Sequence, residues 1–476
     1  MDTKAALTSG GSFMHLLETD PGLRDLFSWV QSYFRSIPDT IKPCSFYLPI
    51  FHTNQIIRRG RLVRRWVAEG YTMDTNDTTA EKIAEEYFSK LLKLSMVMVP
   101  EGDLGEIDFV EFSVKASACH VNGFLREYII SRPMEDNLVT QLEGHCSMNL
   151  RGTGRHLAVS RSWERKKNEG VFKAMDFSRL RSLTVFGTWE SFFLDDTIRM
   201  RLLRVLDLED ASGDVKDDDV ALMVKRLPRL KFLSLRGCSL VKCLPDSLGS
   251  LSQLQTLDVR GTSIVALPST ITKLHNLRHI RAGTTSAPQS SAGEDDVTEE
   301  GTILSPAAPT ESPMPLVSKP RTGAPLKSSC WSGFRRRQGL ANVGVKVPGR
   351  LGILTAMQTL GIVNISAAGS EAAIEERFSG LTKLHKLEVS GINDNQTGCL
   401  DGTLQPPERL ENLMLCGLQE NLHNLNELWL SGSYDVALKK DLEGQIAEAA
   451  RQPGRRQQPV LKEGRSLPRS RTSSAT

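Results

Sequence analysis

Two consecutive segments of the chain, 230–253 and 254–277, carry aliphatic residues at matching positions. The shared pattern opens with Leu-x-x-Leu-x-Leu, in which apolar and intervening positions alternate at the end. Such alternation is typical of a short strand with one buried face. A Leu-Pro step follows at Leu244 and again at Leu267. Because neither segment can bury its leucines alone, the pattern predicts that neighbouring segments stack strand beside strand.

The same opening recurs elsewhere, and its spacing is that of a leucine-rich repeat. Copies begin at Leu180, Leu203, Leu230, Leu254, Leu277, Met357, Leu384 and Leu410. We therefore predict a solenoid over 180–282 and 345–435. Its concave face, running from acidic to basic, is expected either to bind another protein or to be solvated. The positions predicted to line it are Val205, Asp207, Glu209, Phe232, Ser234, Arg236, Thr256, Asp258, Arg260, His279, Arg281 and, on a last incomplete copy, Trp429.

Between the two sets of repeats, residues 283–344 are rich in proline and serine and poor in apolar residues. This composition predicts a disordered insertion within one repeat, since the pattern resumes at Val345 in the second half of a copy. A long insertion costs little, because loop-closure entropy grows slowly with length. Residues 436–476 are predicted to be a basic disordered tail, with a helix at 438–450 as the one ordered element.

Before the repeats, residues 23–135 show helical periodicity and predict a small helical domain. Apolar residues recur at helical spacing up to Pro38, and 56–71 alternates a basic face with an apolar one. Thr79 is placed to cap a third helix. Segments 97–99 and 107–114 predict a hairpin and 124–130 a closing helix, which together indicate a winged helix. Residues 1–22 form an N-terminal segment, and 136–179 a linker that caps the first repeat. The predicted fold class is α+β.

The run Lys-Pro-Cys-Ser-Phe-Tyr-Leu-Pro-Ile-Phe at 42–51, followed by Arg-Leu-Val-Arg-Arg-Trp-Val-Ala-Glu-Gly-Tyr at 61–71, resembles one particular family. It is similar to the winged-helix segment of plant nucleotide-binding leucine-rich-repeat disease resistance proteins, particularly the coiled-coil type of cereals. The order of winged helix and repeats is also the same. The resemblance implies a cytoplasmic immune receptor or a fragment of one, with nuclear or peripheral membrane association as further locations.

In that family the repeats recognise a pathogen effector or host protein and restrain the receptor, while the winged helix couples them to an ADP/ATP switch. A Met-His-Asp motif contacts the ADP, and its position here is Val121, Asn122 and Gly123. The phosphate-binding Gly-x-x-x-x-Gly-Lys-Ser/Thr motif does not occur in the sequence. We therefore expect no cofactor for this chain alone, with ADP or ATP implied by resemblance only. The nucleotide-binding domain would lie upstream or belong to a paired receptor.

Two alternatives remain open. The first is a truncated regulatory paralogue that binds proteins without nucleotide switching. The second is a winged-helix DNA binder in which Arg58, Arg61 and Arg65 contact phosphates. The net charge of +3 gives no domain-wide basic excess, so a protein-facing or solvated basic face is favoured over nucleic acid.

The remaining chemistry-bearing residues point to no active site. The cysteines form no Cys-x-x-Cys pair, which indicates reduced intracellular thiols and no metal site. Cys238 occupies a repeat position that Thr262 fills in the next copy, so its predicted role is structural. No apolar run is long enough to span a bilayer. No nucleophile-base pair or paired carboxylates stand out, so we do not expect an enzyme.

Overall fold

The computed structural model describes residues 19–100, 107–108, 113–114, 116–130, 138–143, 154–163, 175–194, 199–211, 215–285, 342–364, 380–390, 412–416, 427–430, 440, 443–444 and 460–463. The helices are α1 (Arg24–Ser36), α2 (Lys42–Tyr47), α3 (Arg59–Glu69), α4 (Ala80–Lys93), α5 (Gly123–Ile130) and α6 (Asp217–Arg226).

The strands, most of which are short, follow the same chain order. They are β1 (Ile57–Arg58), β2 (Val97–Met98), β3 (Ile107–Asp108), β4 (Ser113–Val114), β5 (Ala118–Val121), β6 (Val139–Leu142), β7 (His156–Val159), β8 (Ser182–Val185), β9 (Val205–Asp207), β10 (Phe232–Ser234), β11 (Thr256–Asp258), β12 (His279–Arg281), β13 (Thr284–Thr285), β14 (Asn342–Val343), β15 (Thr359–Asn364), β16 (Lys386–Ser390), β17 (Asn412–Cys416), β18 (Glu427–Leu430) and β19 (Val460–Glu463).

Helices α1 to α5 surround one apolar core in the first part of the chain. Trp66 of α3 and Phe88 of α4 lie in it, almost completely buried. Helix α3 ends at Gly70, whose φ of 82° is the left-handed conformation that favours glycine. Helix α4 begins at Thr79, whose hydroxyl accepts a hydrogen bond from the Lys82 amide. The predicted Thr79 cap is confirmed.

The small sheet of this domain differs from the predicted hairpin. Strand β2 pairs antiparallel with β5, and β5 also pairs with β1, giving the order β1-β5-β2. Among the described residues, strands β3 and β4 pair with each other and with no other strand. The predicted pairing of 97–99 with 107–114 is therefore wrong. Two-residue strands carry too little periodicity to specify a partner. Cys119 and Val121 of β5 enter the core together with Val97 of β2.

The repeats build a ten-stranded parallel sheet in the order β17-β16-β15-β12-β11-β10-β9-β8-β7-β6. Equivalent residues of successive copies are in register, as in Leu233 with Leu257 and Leu257 with Ile280. These leucines are completely buried on one side of the sheet. Burial of each contributes roughly 1.5–3 kcal/mol. Cys238 and Thr262 are buried in equivalent positions, which agrees with the structural role predicted for Cys238.

Two features of the sheet lie outside the Leu-x-x-Leu-x-Leu copies. Strands β6 and β7 come from 136–179, the stretch interpreted as linker and cap, and extend the sheet before β8. On the other side of the insertion, β12 pairs directly with β15, and Val345 and Leu351 pack in the repeat core. The repeat therefore continues across 283–344, as the pattern of its second half predicts.

The end of the chain is described only in part. Strand β18, which carries Trp429, pairs with β19 and not with the ten-stranded sheet among the described residues. Strand β19 falls within 436–476, where composition predicts no strand. It pairs with β18, and composition alone carries no information about such a partner. The predicted disorder of 283–344 and of the tail falls almost wholly outside the described residues. In the described part of the chain, no helix has the length and apolarity needed to cross a membrane.

Candidate functional site: the contact between helix α3 and the repeat sheet

The basic face of α3 lies against the side of the sheet opposite the leucine core. Arg61 and Arg65 are four residues apart and lie on one stripe of the helix, and Arg58 immediately precedes its first residue. Side chains of Arg61 and Arg65 are only 3% and 0% exposed. Further along the helix, Ala68 packs against Val205 and Phe232 of strands β9 and β10. We call this contact, together with the ion pairs described below, the docking contact.

Asp207, at the end of β9, lies at the centre of the docking contact. Its Oδ2 accepts hydrogen bonds from Arg61 Nε and from Arg65 Nη1, both at 2.7 Å, and its Oδ1 accepts from the Glu209 amide at 3.2 Å. All of its side chain is buried. Burial alone would raise the pKa of Asp207, but Arg61 and Arg65 outweigh it and hold the pKa below its ordinary value. One carboxylate thus joins two guanidinium groups of α3 to the repeats.

Neighbouring groups accept further hydrogen bonds from these arginines, although Arg61 Nη2 is buried without a partner among the described residues. Arg61 Nη1 donates to Asp210 at 2.6 Å, and Arg58 pairs with Glu209. Arg65 donates through Nη2 to Thr184 Oγ1 of β8 at 2.5 Å. It also donates through Nε to the Tyr47 hydroxyl of α2 at 2.9 Å and lies over the Tyr47 ring. Buried charges are tolerated when they are paired and hydrogen-bonded in this way.

A second ionic contact, of opposite sign, lies three strands away. Arg278, which precedes β12, donates to Glu81 of α4 at 2.9 and 3.0 Å and to Asp74 at 2.5 and 3.2 Å. Burial would raise the pKa of Glu81, but His279 and Arg278 lower it to about 2. Here the winged-helix domain supplies the acids and the repeats supply the base. Because the polarity reverses along the sheet, a shifted docking position would bring like charges together.

The C-terminal end of α3 places Glu69 in a buried pocket beside β7. Neither of its carboxylate oxygens has a hydrogen-bond partner among the described residues. Burial raises the pKa of Glu69 to about 7, although Arg204, Arg65 and other cations oppose it. Nearby, His156 contacts the Tyr71 hydroxyl and Ser182 Oγ, each at 2.9 Å. Burial and the neighbouring Arg65 hold the pKa of His156 well below its ordinary value, so its imidazole is neutral.

The structure brings most of the residues predicted for the concave face to this contact or beside it. Val205, Asp207 and Phe232 lie against α3, while His279 lies beside Glu81 of α4. The remaining predicted positions on the same side of strands β9 to β12 are Glu209, Ser234, Arg236, Thr256, Asp258, Arg260 and Arg281. Trp429, on β18, is not brought to them.

Several residues of these contacts carried no signal in the sequence. Asp74 and Glu81 fall in a loop and a helix start, where acidic residues are common, and Tyr47 and Thr184 resemble ordinary core residues. Their role could have been indicated only by a match between charges of the winged helix and opposite charges of the repeats.

The arginines considered for DNA binding are occupied within the chain. Arg58, Arg61 and Arg65 pair with Glu209, Asp210 and Asp207, as described above. Phosphates would have to displace these carboxylates from largely buried positions. The DNA-binding alternative is not favoured.

The positions predicted to sense nucleotide make contacts inside the winged-helix domain. Val121 is buried in the core. The amide nitrogen of Asn122 donates to the Ser95 carbonyl at 3.0 Å, while its Oδ1 accepts from the Phe124 amide at 3.1 Å and so caps α5. A Cβ on Gly123 would lie 2.6 Å from Thr53 Cγ2. These side chains offer ADP no unused charged group, and a nucleotide-sensing role for them stays a prediction.

Comparison with known proteins identifies both parts of the chain. The family described as "Disease resistance protein Winged helix domain" matches residues 50–114, and "Leucine-rich repeat region" matches residues 179–294. Disease resistance protein Pik-2 of Oryza sativa subsp. japonica is 28% identical over 85% of this chain and 36% of its own length. Disease resistance protein RGA4 of the same organism is 29% identical over 56% of this chain and 25% of its own length. This chain thus spans about a third or less of these relatives, and it carries the winged-helix domain and leucine-rich repeats of plant disease resistance proteins.

Proposed function

We propose that the chain supplies the sensing and restraining part of an intracellular plant immune receptor. In this proposal the repeats form a curved solenoid, and the winged helix is held on its concave face in the off state. The observation that carries the proposal is the pairing of Arg61 and Arg65 with Asp207, which joins the two domains through fully buried charges. The whole protein would act in the cytoplasm, where pathogen effectors and their host targets are met.

A restraining contact has to be specific and also breakable, and buried ion pairs suit both needs. Their attraction is largely offset by the cost of removing charges from water, so they orient a contact more than they stabilise it. Replacement of one partner, in contrast, leaves an unpaired buried charge. The two ionic contacts of opposite sign therefore favour one docked position and make it sensitive to any partner that competes for Asp207 or Arg278.

Recognition would act through the same strand face. An effector or host protein that binds the positions beside α3 would have to displace the helix. While α3 is docked, that protein would bind less tightly. By linkage, docking and partner binding then weaken each other to the same degree. The released winged helix would pass this change to a nucleotide-binding domain, with ADP or ATP bound there and not by the residues of this chain described above.

The test is expression of the full chain in plant leaf cells together with the nucleotide-binding part of the receptor, with cell death scored as the receptor output. Asp207→Asn should raise this output relative to wild type, because it removes the central counter-charge of the docking contact. Asp246→Asn, an exposed replacement of the same chemistry, should leave it unchanged. Protein amounts are matched by immunoblot. Equal output from wild type and Asp207→Asn at matched amounts would overturn the restraining role.

A second candidate is a regulatory paralogue that binds proteins without nucleotide switching. It is supported by the lack of any Gly-Lys step for a phosphate-binding loop and by the use of Asn122 as a helix cap. Calorimetric titration of the purified chain with ADP tests whether this chain itself takes part in switching, and saturable binding would overturn the paralogue. Absence of binding is expected for both candidates, and the leaf-cell output of Asp207→Asn then separates them.

A further inference from the structure

A group of arginines beside the docking contact has more positive charge than its acidic neighbours can neutralise. Two of these arginines precede or lie on α3, and three lie at or just after the ends of the repeat strands. They are Arg58, Arg64, Arg236, Arg260 and Arg281, which we call the arginine cluster. The carboxylates that interact with them are Glu209, Asp258 and Glu388.

Two of these carboxylates already pair closely with arginines of the cluster. Asp258 accepts two hydrogen bonds from Arg260, at 2.9 and 2.5 Å, and Glu209 pairs with Arg58. Arg281 Nε is 3.4 Å from the same Asp258, and Arg236 Nη1 is 4.0 Å from the same Glu209. The latter two arginines therefore share acids that other guanidinium groups hold more closely.

Arg64 has no ion pair or hydrogen bond with any described residue. Its Nε is buried, and the buried atoms Arg236 Nη1 and Arg281 Nε likewise lack a hydrogen-bond partner in the described part of the chain. Burial and the charge of Arg281 lower the pKa of Arg64 well below its ordinary value. Burial together with Arg260 lowers the pKa of Arg236 to about 9 and that of Arg281 to about 10. Buried donors are normally satisfied, so these atoms point to an acceptor that the described part of the chain does not supply.

The guanidinium fork matches tetrahedral oxyanions, each of which can accept from several arginines at once. Space at the cluster is limited, since the side chains of Arg58, Arg236, Arg260 and Arg281 are 25%, 24%, 20% and 19% exposed. A compact anion fits this setting better than an extended acidic segment. We propose that the arginine cluster binds, through Arg64, Arg236 and Arg281, a phosphate-type oxyanion, mono- or diphosphate in size, which bridges α3 and the ends of strands β10 and β12.

Such an anion would also strengthen the docking contact, because it would bind Arg64 of the winged helix and Arg236 and Arg281 of the repeats together. This regulatory part rests on the proposed function, whereas the binding itself does not. In the off state the anion would offset the repulsion between arginines of the two domains. Loss of the anion would then favour release of α3.

The experiment is calorimetric titration of the purified full chain with inorganic pyrophosphate, at constant ionic strength maintained with chloride. Wild type should show saturable binding, and Arg64→Gln should weaken the affinity at least tenfold. Arg350→Gln, which removes an exposed arginine outside the cluster, should bind as wild type does. Since Arg64 has no partner to lose among the described residues, its replacement should leave the melting temperature in chloride unchanged or raise it. This result separates lost binding from lost folding.

The proposal is overturned if wild type shows no saturable binding up to millimolar pyrophosphate, or if Arg64→Gln and Arg281→Gln bind as tightly as wild type. A parallel leaf-cell assay of Asp207→Asn keeps the two proposals apart. Pyrophosphate binding without any effect of Asp207→Asn on cell death retains the anion site and removes the restraining role. Absence of pyrophosphate binding with an increased output from Asp207→Asn removes the anion site and retains the restraining role.

Discussion

Replacement of Asp207 by asparagine is the sharpest perturbation of the docking contact. The side chain keeps its shape and loses the charge that neutralises Arg61 and Arg65, both of which are buried. Removal of one partner from a buried ion pair costs about 3–5 kcal/mol. Arg65 keeps its bonds to Tyr47 and Thr184, and Arg61 keeps Asp210, so we expect the lower end of this range. Asp207→Asn should lower the free energy of unfolding by about 3 kcal/mol.

Urea unfolding followed by tryptophan fluorescence measures this change, since Trp66 of α3 is completely buried beside the contact. Asp246→Asn is the matched control and should change the free energy of unfolding by no more than about 0.5 kcal/mol. A double-mutant cycle with Arg65→Met then isolates the pair itself. Residues in direct contact typically give a coupling energy of about 0.5–3 kcal/mol.

The reasoning depends on Asp207 being removed from water by α3. If the helix did not cover it, the carboxylate would be a surface group and its loss would cost less than about 1 kcal/mol. A change of that size for Asp207→Asn, together with zero coupling to Arg65, would refute the docking contact as described.

Three further predictions concern single residues. The folded-state pKa of Glu69, about 7, exceeds the ordinary 4.5, so its contribution to stability is present below pH 4.5 and lost as the pH rises through 7. Glu69→Gln should therefore be more stable than wild type by up to about 3 kcal/mol at pH 8, with a difference near zero at pH 4.5, and unfolding curves at the two pH values check the sign. Leu257→Ala should cost about 2–5 kcal/mol by urea unfolding, because the residue is completely buried, and a change below about 1 kcal/mol would contradict its place in the core. Gly261→Ala should cost about 1–2 kcal/mol in the same assay, since its φ of 70° is unfavourable for alanine, and no change would contradict that turn.

The repeats were predictable because the aliphatic positions of each copy indicate which face of its strand is buried. Leu233 and Leu257 occupy equivalent positions of a local pattern, and stacking of equal copies follows from it without further information. Strands β6 and β7 were missed because they lack the Leu-x-x-Leu-x-Leu opening. His156 is a polar residue at the start of β7 and is nevertheless buried.

The docking contact could not be predicted in the same way. Arg61 and Asp207 are separated by 146 positions, and no periodic pattern relates them. The sequence indicated a basic stripe on α3 and an acidic start to the strand face, each open to several partners. Only the folded structure shows that the basic stripe of α3 pairs with Asp207 of the strand face. It also shows a second contact of opposite sign, in which Asp74 and Glu81 pair with Arg278.

Hydrogen exchange of the full chain tests the central claim most directly, namely that α3 is docked on the repeats through Asp207. Asp207→Asn should raise amide exchange together in residues 59–69 and 205–208, and by more than in residues 254–277. Unchanged exchange in 59–69, or a rise confined to the residues around position 207, would contradict the account.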